Sequence, residues 1–211
     1  MTTSNASLPP GFGGRITAPV QTPAAPSPLR LLPERTIMLC VDVQERLSAA
    51  IPPELLQRLR KNAAILLRGA AALGVPVLVS EQYKKGLGDT LPDLLEALPP
   101  GSRRFEKLAF SAWASAPVAQ AIVDSGRSQV IVFGMETHIC VFQTTRDLCH
   151  TGFSVHLPHD AVASRDPENM RLGLVLAERA GAVVSSVETV LFDLLHRAGS
   201  PEFKTISALV K

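Results

Sequence analysis

Short apolar runs recur along this chain, and the intervals between them carry helical periodicity. TIMLCVD (36–42) is a continuous apolar stretch closed by an acid, and VPVLVS (75–80) is a second such stretch. Between them, PELLQRLRKNAAILLRGAAALG (53–74) repeats Leu55, Leu59, Leu66 and Ala70 at helical spacing, with Pro53 near its start and Gly74 near its stop. A continuous apolar run suits a strand covered on both faces. Two such strands joined through a helix need a crossover, which makes them parallel. The theme repeats as a helix at 117–126, a strand at 129–134, a helix at 140–152 and a strand at 153–158. Asp166-Pro167-Glu168 then reads as an N-cap, a first-turn proline and an acid facing the helix dipole, opening a helix to about Ala180. AVVSS (182–186) and VETVLFDLLHRAG (187–199) supply the last strand and helix. The expected fold is α/β: a three-layer αβα domain around a doubly wound, mostly parallel sheet of about six strands.

The 211 residues fit one domain with a tail, and the 46% apolar content is enough for a sizeable core. The first 33 residues hold seven of the 17 prolines and no acid. This predicts an extended, disordered arm over 1–34 and a folded domain over 35–211. No apolar run approaches the ~20 residues of a membrane span. The 21 basic residues are scattered and balanced by 19 acids, which gives a formal charge of +2 and no stripe for nucleic acid. The expected partner is therefore a small molecule, with no nucleic acid and no membrane. Three cysteines without a C-x-x-C spacing argue against a disulfide framework and predict a cytoplasmic location.

In open parallel sheets ligands sit beyond the carboxyl ends of the strands, near the point where strand order reverses. The residues placed there are Asp42 and Gln44, Glu81 to Tyr83, Met135 to Cys140, and His159 with Asp160. There is no G-x-G-x-x-G after a strand and no G-x-x-x-x-G-K-[ST], so the usual phosphate cradles are missing. His156 and His159 lack a nearby third ligand and read as surface or supporting histidines. His138 reads equally as a site residue or a helix cap. Asp42 closes a buried strand, where desolvation raises a carboxyl pKa. Cys140 falls at an expected helix N-terminus, which favours a thiolate. Lys107 sits in the otherwise apolar FEKLAFSAW (105–113) and needs a partner. Singly, each has a bland reading as cap, core thiol or solvated cation.

Taken in order, CVDVQ (40–44), FEKLAFSAW (105–113) and GMETHICVFQTTRDL (134–148) resemble the isochorismatase-like cysteine hydrolases. SEQYKKGLG (80–88), HDAVASR (159–165), SSVETVLFDLL (185–195) and PEFKTISALVK (201–211) echo the isochorismatase domain-containing subgroup. The resemblance implies a hydrolase acting on a non-peptide C–N bond of a small amide or carbamoyl compound, with Cys140 as nucleophile, Asp42 as general base and Lys107 as the cation holding both. It also implies an oxyanion hole from the backbone N–H groups of Glu136 and Cys140, a cis peptide at Met135-Glu136, and a homo-oligomer. Gln44, Tyr83, Phe110, Trp113, Met135 and Glu136 are the expected substrate-binding residues, although Phe110 and Trp113 suit core packing equally well. Two departures stand out. Nicotinamidases in this family carry D-x-H for a metal where this chain has EQYKKGLGD, so no metal or other cofactor is expected. Many members have threonine where Glu136 stands, which selects against anionic substrates or orients an amine. The alternatives are a catalytically idle binding scaffold and a redox-responsive thiol protein.

Overall fold

The first strand, β1 (Thr36–Val41), is buried along its whole length and divides its side chains strictly between two cores. Met38 and Cys40 face one cluster, whereas Ile37, Leu39 and Val41 face the other. That two-sided burial is why the run is apolar at every position rather than at every second one. A computed structural model of the chain describes residues 29–211.

Chain order after β1 is α1 (Glu45–Ser48), α2 (Pro53–Leu73), β2 (Val77–Gln82), α3 (Lys84–Leu87), α4 (Pro92–Ala97), β3 (Arg103–Lys107), α5 (Ala116–Asp124) and β4 (Gln129–Met135). A single π-helical turn, Thr137–Val141, leads into α6 (Phe142–His150), followed by β5 (Ser154–Pro158), β6 (Val162–Ala163), α7 (Pro167–Arg179), β7 (Val183–Ser185), α8 (Val187–Leu195) and α9 (Phe203–Leu209). The strands pair in the order β3-β2-β1-β4-β5-β7, all parallel, and β6 adds to the end of β4. Helices α2, α8 and α9 cover one face with Leu59, Leu66, Leu191, Leu194 and Ile206. Helices α5, α6 and α7 cover the other with Val118, Ile122, Leu148 and Ala177. The layering is αβα, with seven strands among the described residues against the six or so expected.

The chain winds outward from β1 through β2 to β3, returns, and winds the other way through β4. Strand order therefore reverses between β1 and β4, and loops leaving those two strands diverge to open a crevice. Gly134 serves this junction. It pairs with Val41 at a φ of 127°, and a Cβ there would run into the Val41 carbonyl.

Several boundaries differ from expectation. Strand β2 starts at Val77, because Val75 N–H still bonds the Ala70 carbonyl at the end of α2 and Pro76 has no N–H to offer. Glu81 and Gln82 are thereby inside the strand, and Met135 closes β4 rather than following it. The compact unit begins at Leu31, which is 1% exposed and donates to Asp193 Oδ2 at 2.6 Å, so residues 31–34 belong with the domain. The expected arm up to residue 28 lies outside the described residues. Two caps fall where the sequence placed them. Asp166 Oδ1 accepts from Glu168 N at 2.7 Å, and Gly74 ends α2 in the left-handed region.

Candidate active site

Three neighbouring strands deliver three side chains to one point. Asp42 leaves β1 with a φ of 53°, a turn that a small polar residue tolerates better than a branched one. Its backbone N–H bonds Ser80 O on β2 at 3.0 Å, and Ser80 Oγ donates to Asp42 Oδ1 at 2.7 Å. Lys107, at the end of β3 and in register with Gln82, places Nζ 2.7 Å from Asp42 Oδ2. Both side chains of this ion pair are 0% exposed. Nζ also donates to Gln82 Oε1 at 2.7 Å and to the carbonyls of Phe110 and Ala109 at 2.9 and 3.1 Å, so the ammonium is fully engaged. Cys140 comes from the far side of the crevice, on the π turn after β4, close enough that the charges of Asp42 and Lys107 both act on its thiol.

Burial raises the Cys140 thiol to about 12, Asp42 adds to that rise, and Lys107 opposes it. The resting sulfur is therefore neutral, contrary to the thiolate expected from a helix N-terminus. Two facts account for the difference: α6 proper starts two residues later at Phe142, and desolvation outweighs the dipole. Burial also raises the Asp42 carboxyl above its usual range, held back by Lys107, Ser80 and Cys140. Cys40 and Cys149 are raised by burial as well. Cys140 differs from Cys149 in standing near the charges of Asp42 and Lys107.

The turn before Cys140 is unusual. The Met135–Glu136 peptide is cis. Ile139 N and Val141 N both donate to the Glu136 carbonyl, at 3.1 and 3.2 Å, and the Cys140 amide lies between them. Helix α7 packs directly on this turn, since a Cβ on Gly173 would come within 2.8 Å of His138 N and of the Thr137 carbonyl carbon. Both are backbone atoms with little room to yield. Gly173→Ala is accordingly expected to lower stability by about 1–3 kcal/mol and to change the alkylation rate of Cys140. Urea melts together with peptide mass spectrometry check this, and an unaltered melt and rate would show that the turn moves freely.

The other candidates separate into distinct groups. Gln44 is 0% exposed and spends its amide on the protein: Nε2 donates to Gln82 O at 3.0 Å and Gly88 O at 2.8 Å, and Oε1 accepts from Gln82 N at 2.7 Å. It ties the loop after β2 in place, rather than offering its amide to a ligand as expected. Glu81 is likewise committed, accepting from Thr90 N and Oγ1 at 3.0 and 2.8 Å. Trp113 packs edge-on against Phe153, with ring centroids 5.2 Å apart, which is the core role weighed for it. Met135 is fully buried in the core. Tyr83 and Phe110 are exposed at 49% and 55%, on the segments leaving β2 and β3. Glu136 is 5% exposed and lies close enough to Cys140 to raise its thiol further. His138 Nδ1 is 3.1 Å from Ser164 Oγ. Ser80, Gln82 and Arg165 are site neighbours to which the sequence assigned no role. A polar Ser inside the apolar run VPVLVS was the one available signal.

Among the described residues no three His, Cys, Asp or Glu side chains come together to hold a metal. The residues that leave β2 do not fit one either, since Glu81 is bound by Thr90 and Lys84.

Residues 36–189 match the isochorismatase domain. The chain is 37% identical over 183 residues to isochorismatase domain-containing protein 1 of Salmo salar, covering 86% of this chain but only 62% of that relative's length. It is 34% identical over 190 residues to the secreted isochorismatase effector Isc1 of Phytophthora sojae, covering 86% of this chain and 87% of the relative. A solved structure of MAR1 ribonuclease from Caenorhabditis elegans superposes with a TM-score of 0.80 at 32% identity, over 86% of this chain and 92% of that one.

Proposed function

The chain belongs to the isochorismatase family, and we propose that within it the protein is a metal-independent cysteine hydrolase acting on a C–N bond of a small amide or carbamoyl compound. The observation that carries this reading is the fully buried Asp42–Lys107 pair, whose charges both act on the Cys140 thiol. Taking two charges out of water costs several kcal/mol per ion, and a packing role alone is better served by apolar side chains.

In the proposed cycle the Cys140 thiol proton passes to Asp42 as sulfur attacks the carbonyl carbon, giving a tetrahedral oxyanion. The oxyanion is held by the Cys140 and Glu136 amides. The C–N bond then breaks, Asp42 returns the proton to the leaving nitrogen, and a thioester remains. Asp42 takes a proton from water, hydroxide attacks the thioester, and the proton goes back to sulfur as the acid leaves. The raised pKa of Asp42 suits this work, because a carboxylate that binds protons more tightly is a better base toward a thiol. Lys107 keeps Asp42 ionised until the proton arrives.

We further read the protein as a homo-oligomer, with exposed Tyr83, Leu108 and Phe110 as the apolar lip beside the site. A reducing compartment such as the cytoplasm suits its free cysteines. No described helix is long and apolar enough to cross a membrane. We read the catalytic domain as starting at Leu31, with the proline-rich sequence before it outside that domain.

The test is an acid quench of the protein with small primary amides and N-carbamoyl compounds, followed by peptide mass spectrometry. An acyl adduct on Cys140 and product release that both vanish in Cys140→Ala are expected. Hydrolysis that survives Cys140→Ala would sink the reading, as would cleavage of RNA that ignores the same substitution.

A further inference from the structure

Glu136 is a buried carboxylate whose partners do not satisfy it. Its side chain is 5% exposed, and neither oxygen has a hydrogen bond. Arg165 Nε approaches Oε1 at 2.6 Å without hydrogen-bond alignment, and His138 Nε2 stands 3.8 Å from Oε2. The Arg165 side chain is itself 58% exposed, so its charge is shared with water. An ionised carboxylate in such a place ordinarily demands close donors. The position of Glu136 explains what could provide them. It starts the turn that carries Cys140, and its charge acts on that sulfur together with those of Asp42 and Lys107. The Asp42–Lys107 pair is internally balanced at 2.7 Å. Glu136, buried while its Arg165 partner is 58% exposed and screened by water, therefore biases the field at the nucleophile toward negative.

We propose that Glu136 is a specificity-determining residue which selects molecules carrying a cationic nitrogen group, such as an ammonium or amidinium, beside the carbon that Cys140 attacks. This rests on the hydrolase reading and narrows its substrate class. The ligand's N–H groups take Oε2, the oxygen left with only a distant histidine, while Arg165 stays on Oε1 at the solvent side. An anionic group in the same place faces a carboxylate whose one close cation, Arg165, sits on the other oxygen and is largely exposed to water. Arg165 and His138 are the cations that moderate this preference.

The question can be put without knowing the substrate, using three thiol reagents of similar reach: (2-aminoethyl) methanethiosulfonate, its neutral methyl analogue, and the 2-sulfonatoethyl reagent. In each case sulfur from Cys140 attacks the thiosulfonate sulfur, forming a disulfide and releasing methanesulfinate. Rates at Cys140 are read by peptide mass spectrometry and normalised to those of a free thiol such as 2-mercaptoethanol. The cation-to-anion rate ratio is expected to exceed tenfold in the wild type and to fall at least tenfold in Glu136→Gln. Arg165→Gln, at an exposed position, is expected to raise it and keeps the test open if Glu136→Gln folds poorly. A wild-type ratio near one, or a ratio indifferent to both substitutions, overturns the role of Glu136 and leaves the hydrolase reading standing. Cys140 reacting with the neutral reagent no faster than Cys149 overturns the hydrolase reading itself.

Discussion

Lys107→Met is expected to destabilise the domain by about 3–5 kcal/mol, because it leaves the Asp42 carboxylate 0% exposed without its counter-charge. The carbonyls of Ala109 and Phe110 and the Gln82 amide oxygen lose their donor at the same time. Asp42 then has one recourse, which is to bind a proton. The single variant should therefore regain stability as pH falls through the further raised pKa of Asp42, the reverse of ordinary acid denaturation. Adding Asp42→Asn should recover part of the loss at neutral pH, since an amide needs no cation. Urea unfolding of the wild type, both single variants and the double variant measures the coupling. Equal costs for Lys107→Met with and without Asp42→Asn would show that the pair contributes nothing jointly, and the proposed role of Lys107 would fail with it.

The second large effect concerns the base. Asp42→Asn is expected to slow hydrolysis, and alkylation of Cys140, by about 10²–10⁴-fold at neutral pH. The pH profile separates this from a structural loss. In the wild type, activity should fall as pH drops through the pKa of Asp42, because a protonated carboxyl cannot accept the thiol proton. Burial sets that limb above the usual carboxylate range. In Asp42→Asn the limb should vanish, and the remaining reactivity should climb with alkaline pH as the thiol, pushed up to about 12 in the wild type, begins to ionise unaided. An acid limb that persists unchanged in Asp42→Asn would place the base elsewhere.

Much of this architecture was legible because burial on both faces leaves a direct trace. TIMLCV and QVIVFG could be read as central strands since every position faces a core, and the helix at 166–180 could be read from the proline and cap that start it. Edge strand β3 left no such trace, as Arg103, Arg104 and Glu106 are exposed. Lys107, its last residue, is the one fully buried, and Phe105 is only partly buried against the core. Helix α9 has no periodic apolar signal in the sequence, since just Ile206 within it is buried.

The same reasoning applies at the site. Gln44 follows a strand end and is among the expected substrate-binding residues, and its side-chain amide donates to Gln82 and Gly88, 38 and 44 residues further on. Ser80 carries no strand-end signal and Gln82 only that of its position, although they hold the two ends of the Asp42–Lys107 pair.

The sequence by itself determined the order of strands and helices, the parallel sheet that order entails, and the presence of Asp42 and Cys140 beyond strand ends with Lys107 between them in the chain. It could do so because periodicity, crossover length and caps are properties of neighbours in the chain. Only the tertiary structure decided that the sheet reverses between β1 and β4, that Ser80 lies beside Asp42 and Gln82 beside Lys107, and that the resting thiol is neutral. Those outcomes depend on strand register and on burial. Both arise between residues far apart in sequence, so no local pattern contains them.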